Sequence, residues 1–174
     1  MIYESAEDSE LMLETLKKNL KNKNLKILEV GVGSGFILEN LRDEGFKNST
    51  GVDVNPDAIK LCSEKNLNVK YSDLFSNING KFDIIFFNPP YLPKDNEEDA
   101  ESSVATTGGK TGSEVINRFL INAHKHLDKN GEIFLLISSL TKEINWFNYK
   151  KSLVGEKKLF FENLEVWRLQ IKKL

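Results

Sequence analysis

Four short runs of apolar, β-branched and aromatic residues recur at intervals of 15 to 24 residues: Leu25 to Val30, Ser49 to Val54, Leu67 to Tyr71 and Phe82 to Phe87. The stretches between them have helical spacing. One helix is expected from Phe36 to Glu44, stopped by Gly45, and another is opened by Asn55-Pro56, with proline in its first turn. A later segment places Val115, Ile116, Phe119, Leu120, Ala123 and Leu127 on one helical face and closes at Asn130-Gly131, before a fifth apolar run, Glu132 to Ile137. Strands that alternate with helices must cross over rather than hairpin. The pattern therefore predicts an α/β, doubly wound, mostly parallel sheet with helices on both faces.

The two ends of the chain extend this pattern. Ser5-x-x-Asp8 has the form of a helix start, and Met12, Leu13, Leu16 and Leu20 make an apolar stripe behind it. A polar helix is expected over 141–152, then strands at Lys158 to Glu162 and Glu165 to Lys172, which completes seven strands. In the last, Trp167, Leu169 and Ile171 alternate as in a half-exposed antiparallel strand. A length of 174 residues suits a single domain, 1–174, with an N-terminal helical extension over 1–24. The weakly patterned stretch 92–112 is rich in acids in its first half and reads as a loop on the substrate side.

Composition excludes several classes. A net charge of −2 leaves no footprint for general nucleic-acid binding, and no apolar run approaches a membrane span. Cys62 is the only cysteine, so no internal disulfide forms and a cytoplasmic setting is expected. It lies in a helical pattern as a small core residue. His124 and His126 sit two apart on a predicted helix and face different ways, so no metal site is expected.

The chemistry gathers at strand ends. Lys81 to Tyr91, KFDIIFFNPPY, is a buried strand that stops at an amide and two prolines, because Pro89 and Pro90 cannot donate to a ladder. Glu29 to Gly35, EVGVGSG, joins a strand to a helix where backbone amides can meet a ligand. A dinucleotide fingerprint would need glycine at position 36, which is Phe36. Instead Glu29 stands two residues before Gly31, with Gly33 following, and suits a ligand carrying an ammonium group. Asp53, 22 residues after Gly31, ends the second strand and can accept both hydroxyls of a ribose. Asp73 ends the third strand, where it can accept from the exocyclic amine of a base, with Leu74 against the base's face. Amine, ribose and adenine together describe S-adenosyl-L-methionine.

The set EVGVGSG, VDVN, SDLF and FNPPY resembles the class I S-adenosylmethionine-dependent methyltransferases, in order and spacing. The stretches from Tyr3 to Leu16 and from Ala105 to Phe119 resemble, more narrowly, the HemK-type protein-(glutamine) methyltransferases of the archaeal and eukaryotic release-factor group. Ser5 stands where that group usually has proline. The resemblance implies a Rossmann-like methyltransferase fold with an antiparallel last strand. It also implies that Ser9 helps hold the methionine carboxylate. The implied substrate is the GGQ glutamine of a class I peptide-chain release factor. The implied partner is a small zinc-binding activator subunit in a heterodimer, and the third strand is expected at the sheet edge, where such a partner could add.

For a carboxamide acceptor, Asn88 offers a side-chain oxygen and Pro89 a carbonyl, aimed at the two N–H groups of the amide. Pro90 stiffens the turn, and Tyr91 forms a wall near the sulfonium. The same turn could hold a flipped adenine, making the chain an adenine-amine methyltransferase of DNA or RNA. A cofactor-binding scaffold for a partner is the reading from another class.

Overall fold

A computed structural model describes residues 7–90 and 112–172. Seven strands form one sheet: β1 (Ile27–Val30), β2 (Ser49–Asp53), β3 (Val69–Tyr71), β4 (Phe82–Phe87), β5 (Leu127–Ser138), β6 (Tyr149–Lys158) and β7 (Asn163–Ile171). Their order is β3-β2-β1-β4-β5-β7-β6. The neighbours from β3 to β5 pair in parallel, and β7 pairs antiparallel with both β5 and β6, so the last strand alone runs against the rest. This is the expected architecture, with β3 at one edge.

Strand alternation supplies two apolar faces. Leu28 and Val30 of β1, Ile85 and Phe87 of β4, and Ile133 and Leu135 of β5 pack against helix α4 (Glu114–Ala123) through Ile116, Phe119 and Leu120. On the opposite face, Ile27, Ile84, Phe86, Phe134 and Val166 meet helix α1 (Glu7–Asn19) through Leu11, Met12 and Leu16. Helix α2 (Phe36–Asp43) joins that face through Ile37 and Leu41. Helix α3 (Pro56–Glu64) closes a smaller cluster in which its Cys62 meets Val32, Leu38 and Leu67. Asp83, the one acid within β4, is satisfied because its Oδ2 accepts from the Lys26 backbone N–H at 2.8 Å.

Three element assignments read from sequence are corrected. Residues 141–152 do not form a helix: Glu143 and Phe147 adopt positive φ values of 61° and 45°, and β6 begins at Tyr149. The segment before β6 is instead tied to α4, since Asn117 Nδ2 donates to the Glu143 carbonyl at 3.1 Å and Asn117 Oδ1 accepts from Asn145 N at 2.8 Å. Lys158 to Glu162 is not a strand but the end of β6 and the hairpin turn, closed by Leu159 N donating to Glu162 O at 2.8 Å. The long helix stops at Ala123, a 3-10 turn follows over His124–His126, and Leu127 already belongs to β5. A register shift where Phe82 and Ile84 of β4 face β5 lets the backbone pass Gly131, where a Cβ would sit 2.9 Å from the Phe82 carbonyl oxygen.

Candidate functional site

The strand order reverses at β1: β2 and β3 lie on one side of it and β4 on the other. Such a switch point leaves a crevice at the carboxyl ends of the strands, because the connections depart in opposite directions. Glu29 is the penultimate residue of β1, Asp53 ends β2, Asp73 follows β3 by two residues, and Asn88 directly follows β4. Val30 pairs with Phe87, so Gly31 and Asn88 leave neighbouring strands side by side.

The glycine loop is held from beneath. Gly31 N and Val32 N both donate to the Val52 carbonyl, at 2.8 and 3.0 Å. Gly31 has φ 71°, and a Cβ there would meet the Phe87 ring at 3.2 Å. Gly35, the N-cap of α2, has φ 79°, and its Cβ would lie 2.8 Å from both Cys62 Sγ and Leu67 Cδ1. Lys65 Nζ adds an outer clamp, donating to the Ser34 carbonyl and to Glu39, each at 3.0 Å. Cys62 donates to the Gly33 carbonyl at 3.6 Å. Burial, followed by the nearby Glu29 carboxylate, pushes its thiol up to about 11. That suits a packing residue rather than a nucleophile.

Glu29 is 3% exposed, and its Oε2 has no hydrogen-bond partner among the described residues. Burial holds its carboxyl well above the usual range, and the neighbouring Asp53 carboxylate adds to this; a hydrogen bond from the Leu38 backbone N–H opposes both. A buried acid with an idle oxygen is a costly arrangement unless a cation or donor reaches it. Asp53 accepts from Gly33 N at 2.9 Å through Oδ2 and from Asn55 N at 2.8 Å through Oδ1. These bonds fix the carboxylate at the strand end and leave lone pairs on both oxygens.

Asp73 lies on a turn organised by Ser72. The Ser72 hydroxyl donates to the Leu74 carbonyl at 2.8 Å and accepts from Asn77 N at 3.0 Å, and Leu74 takes a positive φ of 49°. One carboxylate oxygen of Asp73 accepts from Arg118 Nη2 at 2.8 Å. Sequence reasoning did not single out Arg118. Helical spacing shows only that it lies off the apolar face of α4.

In the turn after β4, Pro89 is buried and Pro90 half-buried. Asn88 Nδ2 donates to Ser9 Oγ at 3.4 Å, and Asn88 Oδ1 is buried with no partner among the described residues. Ser9 itself is buried in the first turn of α1, where its backbone N–H is taken by Asp8 Oδ1 at 2.6 Å. What Ser9 presents is therefore its hydroxyl. Tyr91, and all of the 92–112 loop except Gly112, lie outside the described residues.

The Methyltransferase small domain family matches residues 5–153. The chain belongs to this family. A Methanocaldococcus jannaschii protein with a provisional assignment as a protein N5-glutamine methyltransferase is 42% identical over 97% of this chain and 92% of its own length. The release factor glutamine methyltransferase of Streptococcus pneumoniae is 32% identical over 75% of this chain, which spans 52% of that longer protein. Among solved structures, one from the E. cuniculi Mtq2–Trm112 complex, described as responsible for methylation of the translation termination factor eRF1, superimposes with a TM-score of 0.77. It is 24% identical, with 98% of this chain and 99% of that one covered, and it supports the fold.

The chain is thus a methyltransferase, and the family's methyl donor is S-adenosylmethionine. The residues at the crevice fit it: the buried Glu29 oxygen that has no partner among the described residues suits an ammonium group, and a side chain at Gly31 would crowd the loop. Among the described residues no helix is long and apolar enough to cross a membrane.

Proposed function

We propose that this enzyme methylates the side-chain amide nitrogen of the GGQ glutamine of a class I peptide-chain release factor. The observation that carries the proposal is Asn88 Oδ1, a buried acceptor without a partner among the described residues, on a turn stiffened by two prolines. An amide acceptor brings two N–H groups and needs two acceptors to hold its plane. Asn88 Oδ1 and the Pro89 carbonyl are those acceptors. The likeness to a release factor glutamine methyltransferase supports the same substrate.

Glu29 would hold the ammonium of S-adenosylmethionine, Asp53 its ribose hydroxyls, and Asp73 and Leu74 its adenine, with Gly31 and Gly33 admitting it to the backbone. Ser9 would act near the methionine carboxylate through its hydroxyl. When bound, the cofactor supplies a methyl carbon made electrophilic by its sulfonium. The chain's own work is to bind and orient. An amide nitrogen is a weak nucleophile because its lone pair is delocalised into the carbonyl. Two acceptors aimed at its N–H groups raise electron density there without either acceptor having to ionise. Tyr91 would close the turn as an aromatic wall beside the positive sulfonium.

A small zinc-binding activator subunit would complete the enzyme as a heterodimer. The β3 edge of the sheet, where Tyr71 is half exposed, is the surface on which it would add a strand. The whole of 1–174 would act as one catalytic domain, with 1–24 as its helical extension and 92–112 facing the substrate.

The test is incubation of the chain with labelled S-adenosylmethionine and purified release factor, with and without the activator, beside a factor whose GGQ glutamine is replaced by alanine. Label is expected in the native factor and absent from the variant. Equal labelling of both would overturn the glutamine assignment. Label entering DNA or RNA instead would favour an adenine amine as acceptor.

A further inference from the structure

Phe160 and Phe161 at the tip of the β6–β7 hairpin are 91% and 84% exposed, and their rings meet edge to face at 4.7 Å between centroids. Leu140, on the turn after β5, is also exposed. Two adjacent, solvated phenylalanines on a surface loop are an apolar patch that a folded chain would otherwise bury. The tip is well tied down. Leu159 N donates to the Glu162 carbonyl at 2.8 Å, and Ser139 N to the Asn163 carbonyl at 2.8 Å. Asn163 N donates to Ser139 Oγ at 3.0 Å, and the Ser138 hydroxyl donates to Glu162. The aromatic pair is thus presented on a closed turn.

Register places this tip on the same rim as the acceptor turn. Phe87 pairs with Leu135, whereas Ser138, three residues further along β5, pairs with Leu164 at the start of β7. Combining the rise of ~3.3 Å per residue with two strand spacings of ~4.8 Å puts the tip roughly 15–20 Å from Asn88. The first turn of α1 lies between them: Lys157, just before the tip, pairs with Glu7 at 3.5 Å and Glu10 at 3.9 Å, while Ser9 of the same turn bonds Asn88. At that separation the phenylalanines cannot touch the acceptor amide. They are well placed to meet the surface of a folded molecule whose amide is in the site.

We propose that the Phe160–Phe161 tip is a docking surface for the protein substrate, contacting an apolar patch on it beside the segment that carries the acceptor glutamine. This rests on the protein-amide reading above. Around the tip Lys157 is engaged by Glu7 and Glu10, Lys158 is exposed and Glu162 follows the aromatic pair, so an apolar centre is ringed by charges of both signs, the make-up of a protein contact rather than of a basic surface for a polyanion. A protein meeting the rim would bury the aromatic rings together with Leu140, the composition found at the centre of protein–protein contacts.

The experiment compares the native chain, with its activator, to a Phe160→Ser/Phe161→Ser double variant on two acceptors: intact release factor and a short synthetic peptide carrying its GGQ sequence. The variant is expected to raise KM for the intact factor about tenfold or more, with kcat and cofactor Kd within twofold of native. Its kcat/KM for the peptide is expected to be unchanged. An unchanged KM for the intact factor would overturn the docking role, as would an equal loss on the peptide. If the double variant instead loses self-association or activator binding by size-exclusion chromatography, the patch serves that contact and the proposal falls. Absence of labelling by the native chain on both acceptors would sink the glutamine reading itself, which separates the two failures.

Discussion

Asn88 Nδ2 donates to Ser9 Oγ at 3.4 Å, so the nitrogen side of the Asn88 amide faces α1. With its nitrogen turned to α1, its oxygen is left buried with no partner among the described residues. Ser9 and Asn88 are 79 residues apart in the chain, so the orientation of the acceptor group is a tertiary property.

Removing that bond should affect turnover more than cofactor affinity. Ser9→Ala frees the Asn88 amide to rotate, and a fall in kcat of about tenfold is expected from lost orientation. Asn88→Asp replaces a neutral acceptor by a charge, and the loss should be larger, about 10²- to 10³-fold, as for other preorganised polar groups. Calorimetry should find cofactor binding partly retained in both. A Ser9→Ala protein with native kcat and a strongly raised cofactor Kd would instead assign Ser9 to the methionine carboxylate alone.

Glu29 should make cofactor binding depend on pH. Its carboxyl titrates well above the ordinary value, so the folded chain without cofactor holds a proton that the unfolded chain has lost. The stability this contributes is full below the unfolded pKa and is lost as pH rises through the folded one. An ammonium ligand favours the ionised acid, so binding should release a proton and tighten as pH rises across that interval. Glu29→Gln should abolish the proton release and weaken binding about 10- to 100-fold at the upper end, the range for a charged hydrogen bond. Calorimetry in buffers of different ionisation enthalpy reads both effects. Equal proton release in the variant would remove Glu29 from this role.

The Asp73–Arg118 pair should separate stability from binding. Both side chains are more than half exposed, so Arg118→Ala is expected to change stability by less than about 1 kcal/mol. If Asp73 receives the adenine amine, Asp73→Ala should weaken cofactor binding about tenfold. Arg118→Ala, which only releases one carboxylate oxygen, should cost a few-fold. A greater loss from Arg118→Ala than from Asp73→Ala would assign the adenine contact to the arginine.

Gly35→Ala tests the floor of the glycine loop. A Cβ at φ 79° would press on Cys62 Sγ and Leu67 Cδ1 at 2.8 Å. Left-handed strain and overpacking together should destabilise the chain by about 2–4 kcal/mol, readable as a lowered midpoint in thermal unfolding. An unchanged midpoint would mean that the loop can relax away from α3.

Local pattern carried much of the architecture. Short apolar runs become strands buried along most of their length where helices cover both faces, and β1, β2 and β4 fall within a residue or two of where their sequences put them. The last third was less legible. Tyr149 to Lys158 alternates weakly and carries several lysines, so its strand character comes from pairing with β7 rather than from its own pattern. The segment before it has a helix-like composition, and the bonds that Asn117 and Ser113 make to it across the fold, which hold it in another shape, are not visible in that composition.

Which residue types stand near the ends of β1 to β4, namely the acids, the glycines and the amide before two prolines, can be read along the chain alone. Strand limits depend on nearby residues, and glycine and proline act through their own backbone. Only the folded sheet brings about that Glu29 and Asn88 each keep a buried oxygen without a partner among the described residues, that Arg118 reaches Asp73, and that the hairpin carrying Phe160 and Phe161 stands on the same rim as Asn88. Burial and the satisfaction of a polar atom depend on neighbours distant in sequence. Those neighbours exist only once the sheet order and register have been set.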